Sequence, residues 1–117
     1  MKTRRTKLSL IGTGMVGAAF AYALSLKRLV NELVMVDLDQ DRAEGEAMDI
    51  RHGLPLIGPM DIRSGGYGDC ADSDIVVITA GANQKPGQSR LDLLKINTRI
   101  VNEIAEKILG LGGEPII

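Results

Sequence analysis

Apolar and polar positions along the chain switch repeatedly between two periods. Leu8, Leu10 and Ile11 lie in a run too short for a helix, whereas Val16, Phe20, Ala23 and Leu24 recur at the i, i+4, i+7, i+8 spacing of a helix face. Residues 8–26 therefore predict a strand, a turn and a helix. A second apolar run, residues 33–36, ends at Asp37. Residues 40 to about 52 again have helical spacing, with Ala43, Ala47 and Ile50 on one side and Glu44, Glu46 and Arg51 largely on others. Gly53, Leu54, Pro55, Gly58 and Pro59 are expected to end that helix. Residues 60–64 read as a weak third strand followed by a Gly65-Gly66-Tyr67-Gly68 turn, and Asp69, Asp72 and Asp74 as a solvated turn. The unbroken β-branched run Ile75–Ile78 suits a strand buried on both faces of a parallel sheet. After a polar loop, residues 91 to about 109 present Leu94, Val101, Ile104, Ala105 and Ile108 to the sheet, and Gly110, Gly112 and Gly113 stop the helix. Pro115, Ile116 and Ile117 begin a fifth strand, within which the chain ends.

Such an alternation predicts an α/β fold, a doubly wound parallel sheet of the Rossmann type truncated in or near its fifth strand. The chain has 117 residues, a formal net charge of −1, 44% hydrophobic and 25% charged residues. That balance fits one soluble domain over residues 1–117, with no basic excess of the kind nucleic-acid binders carry and no membrane partner. One cysteine, Cys70, leaves no pair for an internal disulfide, and a cytoplasmic setting follows, with Cys70 a bystander. The amino terminus imitates a secretory signal: Lys2, Arg4, Arg5 and Lys7 precede an apolar stretch, and Ala21-Tyr22-Ala23 resembles a cleavage site. Three glycines interrupt that stretch, and cleavage would remove the first strand and its turn, so residues 1–7 read more simply as a solvated arm.

The turn itself is GTGMVG. Gly12 allows a tight bend, Gly14 lets a pyrophosphate approach bare backbone, and Gly17 lets helix pack on strand. Free N–H groups and the dipole at the helix start then face phosphate charge. Asp37 lies twenty residues beyond Gly17, where a carboxylate holds a ribose diol and repels the additional phosphate of NADP, so the cofactor expected is NAD. A bare structural turn, and for Asp37 a helix N-cap shared with Asp39, are the alternatives. The loop TAGANQKPGQS, residues 79–89, falls at the carboxyl end of the fourth strand, where ligands of open parallel sheets bind. Gly81, Pro86 and Gly87 suit it to closing over a site.

GTGMVG, VMVDLD, DIRHG and VVITAGANQKPGQSRLDLLKIN together resemble the L-lactate dehydrogenase family, within the lactate and malate dehydrogenase superfamily, over nearly all of the chain. The resemblance implies the cofactor domain of a longer polypeptide, without its substrate domain. It implies that Gly12, Gly14, Met15, Val16 and Gly17 line the pyrophosphate of NAD and that Asp37 takes the adenosine ribose. Thr79, Ala80, Gly81 and Ala82 match the strand end beside the cofactor. Asn83 also falls there, where arginine is common. Arg42 and Tyr67 match positions on the adenosine side, with a surface helix charge and a turn aromatic as the alternatives. Arg90 matches the arginine that comes in with the closing loop and polarises the substrate carbonyl, stabilising a developing alkoxide. Gln84 stands where malate dehydrogenases tend to carry an arginine for the second carboxylate of oxaloacetate. A neutral residue there favours pyruvate and L-lactate, with malate dehydrogenase as the alternative. The family's proton-exchanging histidine, its orienting aspartate and the carboxylate-gripping arginine lie beyond Ile117, and His52 is not that histidine. The expectation is a chain without lactate oxidation activity by itself and a homo-oligomer, usually a tetramer, at full length. A stand-alone NAD-binding module is the reading from another class.

Overall fold

Leu8, Leu10, Ile11 and their counterparts form four strands, of which the first two are almost wholly buried: β1 (Lys7–Ile11), β2 (Glu32–Val36), β3 (Asp61–Ser64) and β4 (Ile75–Ile78). Three helices connect or follow them, α1 (Met15–Lys27), α2 (Gln40–Ile57) and α3 (Arg90–Leu109). The computed structural model describes residues 4–117, so Lys2 of the expected arm lies outside the described residues. Every strand pair is parallel, in the order β3-β2-β1-β4. Ile116 adds a parallel bridge to Ile75 beyond β4, with the Val76 amide donating to the Ile116 carbonyl at 2.8 Å, so the expected fifth strand begins beside the fourth. Growth of the sheet thus reverses between β1 and β4, the switch point of a doubly wound fold.

Alternate side chains on the strands feed two cores. Leu8, Leu10, Leu33 and Met35 pack with Ala21, Leu24, Ala47 and Ile50 of α1 and α2 on one face. Ile11, Val34, Val36 and Val76 pack with Cys70, Ile104 and Ile108 on the other. Burial pushes the Cys70 thiol up, away from reactive thiolate, in keeping with a bystander. No helix among the described residues is long and apolar enough to cross a membrane.

Four details depart from the periodicity. The buried face of α1 is Gly17, Ala21, Leu24 and Ser25, so of the expected face only Leu24 is buried; Val16 and Ala23 are exposed and Phe20 half-buried. Contact so close that it requires glycine turns the helix away from its larger side chains. Helix α2 runs through Gly53 and Pro55 to Ile57, because Leu54 still packs on the core, and it stops at Gly58, whose φ of +119° suits only glycine. On α3 the inward stripe is Ile100, Ile104 and Ile108, while Leu94 (61% exposed) and Val101 face outward. In β4 only Val76 is fully covered, since beyond it the sheet continues by one bridge. The acidic turn is not merely solvated: Asp74 accepts from the Lys7 amide at 2.9 Å and pairs with Arg4, and Asp69 accepts from the Gly66 amide at 2.8 Å.

Candidate functional site

The crevice at the carboxyl ends of β1 and β4 is built on the glycine turn. Gly12 has φ of +104°, donates its amide to the Val36 carbonyl at 2.8 Å, and stands where a Cβ would come within 2.6 Å of the Ala80 nitrogen. A Cβ on Gly17 would lie 2.0 Å from the Gly12 carbonyl oxygen, so α1 rests directly on the turn. Thr79 ties the two strand ends together, its amide donating to Ile11 at 2.9 Å and its hydroxyl to the Gly12 carbonyl at 2.8 Å. Gly14 is the N-cap of α1, extended and without a side-chain cap, and a Cβ there would meet nothing within 4 Å. The amides of Met15, Val16 and Gly17 have no acceptor within the helix, and open space lies at their start.

Asp37 directly follows β2, beside this turn. Its Oδ2 accepts from both the amide and the hydroxyl of Thr13, at 2.7 and 2.9 Å, and its Oδ1 accepts from the Asp39 amide at 2.9 Å. Burial alone would raise the Asp37 carboxyl, but these three hydrogen bonds and the nearby Arg42 charge outweigh it and hold the group below the usual aspartate range. A carboxylate accepts about four hydrogen bonds, so the three from Thr13 and Asp39 leave room for one more, and Asp37 lines the crevice. The helix-cap alternative belongs to Asp39, whose side chain accepts from the Arg42 amide at 3.1 Å.

A cleft of about 280 Å³ opens here, just under the usual span of small-molecule pockets, roughly 300–1,000 Å³. It brings together Gly12, Gly14, Asp37, Arg42, Tyr67, Thr79, Ala80 and Gly81 of the expected residues. Met15 and Val16 point their side chains to solvent, 90% and 70% exposed, leaving only their amides to the site. Ala82, Asn83, Gln84 and Arg90 do not line it. The Gln84 side chain donates to the Gln88 carbonyl at 2.8 Å, the Lys85 amide to the Gln88 side chain at 2.9 Å, and Arg90 is exposed at the start of α3 behind the capping pair Ser89 and Asp92.

Sequence reasoning missed the contribution of α3. Ile100, Glu103, Ile104 and Lys107 form the far wall, and the Lys107 ammonium lies 4.7 Å from the Tyr67 ring centre. Asn97 receives the Ala82 amide on Oδ1 at 2.8 Å, fixing the loop that follows β4. Asn97, Ile100, Ile104 and Lys107 fall at i, i+3, i+7 and i+10, one helix face, and that spacing was the available signal, since polar residues along a partly buried stripe need partners.

Helix-start amides without an acceptor in the helix, next to a glycine whose side-chain position is open and beside a carboxylate with room for another hydrogen bond, fit a pyrophosphate joined to a ribose. Fold and crevice together define a dinucleotide-binding doubly wound domain. A profile described as the lactate/malate dehydrogenase NAD-binding domain matches residues 6–117, and the chain belongs to that family. It is 48% identical to the L-lactate dehydrogenase of Priestia megaterium over 121 residues, covering 100% of this chain and 38% of that protein. Superposition on the ligand-bound minor L-lactate dehydrogenase of Enterococcus mundtii gives a TM-score of 0.92 at 42% identity, covering 96% of this chain and 36% of that one. The malate dehydrogenase of Archaeoglobus fulgidus in complex with NADH gives 0.87 at 38% identity, covering 94% and 38%. The chain thus spans a little over a third of the length of these relatives.

Proposed function

We propose that residues 1–117 form the NAD-binding domain of an NAD-dependent L-lactate dehydrogenase that interconverts pyruvate and L-lactate. The observation that carries the reading is the turn locked to Asp37: bare amides for the pyrophosphate, a pinned carboxylate for the ribose. In this reading Gly12, Gly14, Met15, Val16 and Gly17 hold the pyrophosphate through the backbone, and Asp37 holds the adenosine ribose. Arg42 and Tyr67 flank the adenosine, and Thr79, Ala80, Gly81, Ala82 and Asn83 run beside the nicotinamide half. When bound, NAD supplies the two-electron redox couple. Arg90 enters with its loop and points its guanidinium at the substrate carbonyl oxygen, where it stabilises charge that develops as the carbonyl is reduced. Gln84 sits beside the group that distinguishes substrates. Being neutral, it accepts the methyl of pyruvate and offers nothing to a second carboxylate, which would cost several kcal/mol to leave unpaired.

The whole protein then works in the cytoplasm, in pyruvate fermentation after glycolysis, as a homotetramer. Met15, Tyr22 and Leu26 on α1 and Leu29 just beyond it, all exposed apolar residues, support assembly. Joining the chain to the substrate domain of the Priestia megaterium relative and comparing keto acids tests the reading. Pyruvate-dependent NADH consumption should exceed that with oxaloacetate by at least about a hundredfold if an unpaired buried carboxylate is being rejected. Preference for oxaloacetate would transfer the chain to malate dehydrogenase, and NADH binding without either activity would favour the stand-alone module.

A further inference from the structure

We propose that Thr13, the residue between the first two glycines of the turn, is a positioning residue for the nucleotide: its amide and hydroxyl clamp one oxygen of Asp37 so that the other faces the ribose. The proposal rests on the reading of Asp37 as the ribose acceptor. Thr13 is completely buried, and both of its donors converge on the same Oδ2, at 2.7 and 2.9 Å. Backbone geometry asks only for a residue at that position, and glycine or alanine would supply the amide alone. A hydroxyl with its proton committed to a carboxylate twenty-four residues away is a separate device. With the Asp39 amide on Oδ1, the carboxylate is fixed at both ends and cannot turn about its last bond without breaking hydrogen bonds to a charged group. A carboxylate so held is oriented before the diol arrives, and binding does not have to supply that order. The same clamp keeps the group ionised to lower pH, since each hydrogen bond favours the charged form.

The alternative is a side chain that merely fills the turn, and valine, of the same shape, separates the two. In the unliganded chain, the Asp37 carboxyl carbon followed by NMR should titrate below the usual aspartate range, with its midpoint moving up in Thr13→Val and returning in Thr13→Ser. NADH binding, followed by fluorescence, should weaken roughly tenfold at neutral pH in Thr13→Val, as expected for loss of an orienting hydrogen bond to a charged group, and recover in Thr13→Ser. The pH below which binding fails should rise in the valine variant alone. An unmoved Asp37 midpoint in Thr13→Val, or a serine variant as weak as the valine one, overturns the proposal. Thr13→Ala provides a second hydroxyl-free variant should valine prevent folding, and the buried Thr13 hydroxyl proton of the unsubstituted chain should itself shift with the Asp37 midpoint. Should Asp37→Asn leave NADH affinity unchanged while the titrations behave as expected, the ribose reading falls and the clamp survives only as a structural contact.

Discussion

Two regions meet at the carboxyl end of the sheet, and they are held in opposite ways. The glycine turn is bonded to distant parts of the chain: Gly12 to Val36, Thr13 to Asp37, Thr79 to Ile11 and Gly12. Residues 82–90 are bonded mainly to themselves, Gln84 and Lys85 to Gln88 and Ser89 to Asp92, with the Ala82 amide on Asn97 as the longer-range tie among the described residues. A region fixed by long-range hydrogen bonds is organised before a ligand arrives, whereas one fixed by neighbours can change shape without disturbing the core. Recognition of a nucleotide suits the first arrangement. Delivery of a charged group on closure suits the second, and residues 84 and 90 lie on that side.

The sharpest way to break the comparison is at the helix contact. Gly17→Ala forces a Cβ to 2.0 Å from the Gly12 carbonyl and should lower the unfolding free energy by about 3 kcal/mol in denaturant titrations, abolishing NADH binding with it. Gly14→Ala, where nothing lies within 4 Å, should lower stability by only about 1 kcal/mol, the loss of a favoured N-cap, yet still weaken NADH binding. Equal destabilisation by the two would remove the distinction between packing glycine and ligand-facing glycine.

On the loop side the expected effect is on rate rather than fold. In the chimera with a relative's substrate domain, Arg90→Gln should reduce kcat/KM for pyruvate by about a hundredfold, the size associated with losing one donor to a developing oxyanion. NADH affinity and thermal stability should stay put, since Arg90 is exposed and off the cleft. A parallel fall in NADH affinity would mean that loop and turn are not independent. Smaller again is Asn97→Ala, which strands the Ala82 amide and should cost about 1–2 kcal/mol of stability. Hydrogen exchange should quicken at Ala82 while the Gly12 amide keeps its protection.

Acid provides the mildest probe. Asp37 in the turn and Asp92 at the start of α3 are both held below the ordinary aspartate range, Asp37 by its bonds to Thr13 and Asp39 against the opposing effect of burial, Asp92 chiefly by Ser89. A depressed folded-state value means that each contribution is complete above the unfolded aspartate value, about 3.9, and is lost as pH falls through the folded one. Melting temperatures measured downward from pH 5 should therefore decline, and Asp37→Asn should flatten that decline more than Asp92→Asn, because the Asp92 carboxyl is fully exposed and screened by solvent. A steeper dependence on Asp92 would contradict the ranking of the two regions.

How much of this was legible beforehand follows from the range of each interaction. Strand and helix order, the glycine turn, Asp37 and the Asp39 cap depend on neighbours or on spacings within one strand-turn-helix unit, and local periodicity records them. That the sheet is parallel was accessible for the same reason, but its order was not, since the connection from β3 to β4 crosses from one edge of the sheet to the other. Other features required the fold. The spacing of Val16 and Ala23 points them inward, whereas Gly17 against the turn and Ala21 in the core form the buried face, because a period counts large side chains and not the closeness that small ones allow. Thr13 on Asp37, Asn97 on Ala82 and Lys107 over Tyr67 join residues 15 to 40 positions apart, on elements that meet only when the sheet is closed. By itself the sequence determined which segments surround the crevice; the tertiary structure decided which atoms face it, because that depends on helix rotation and on donors and acceptors no stretch of chain contains together.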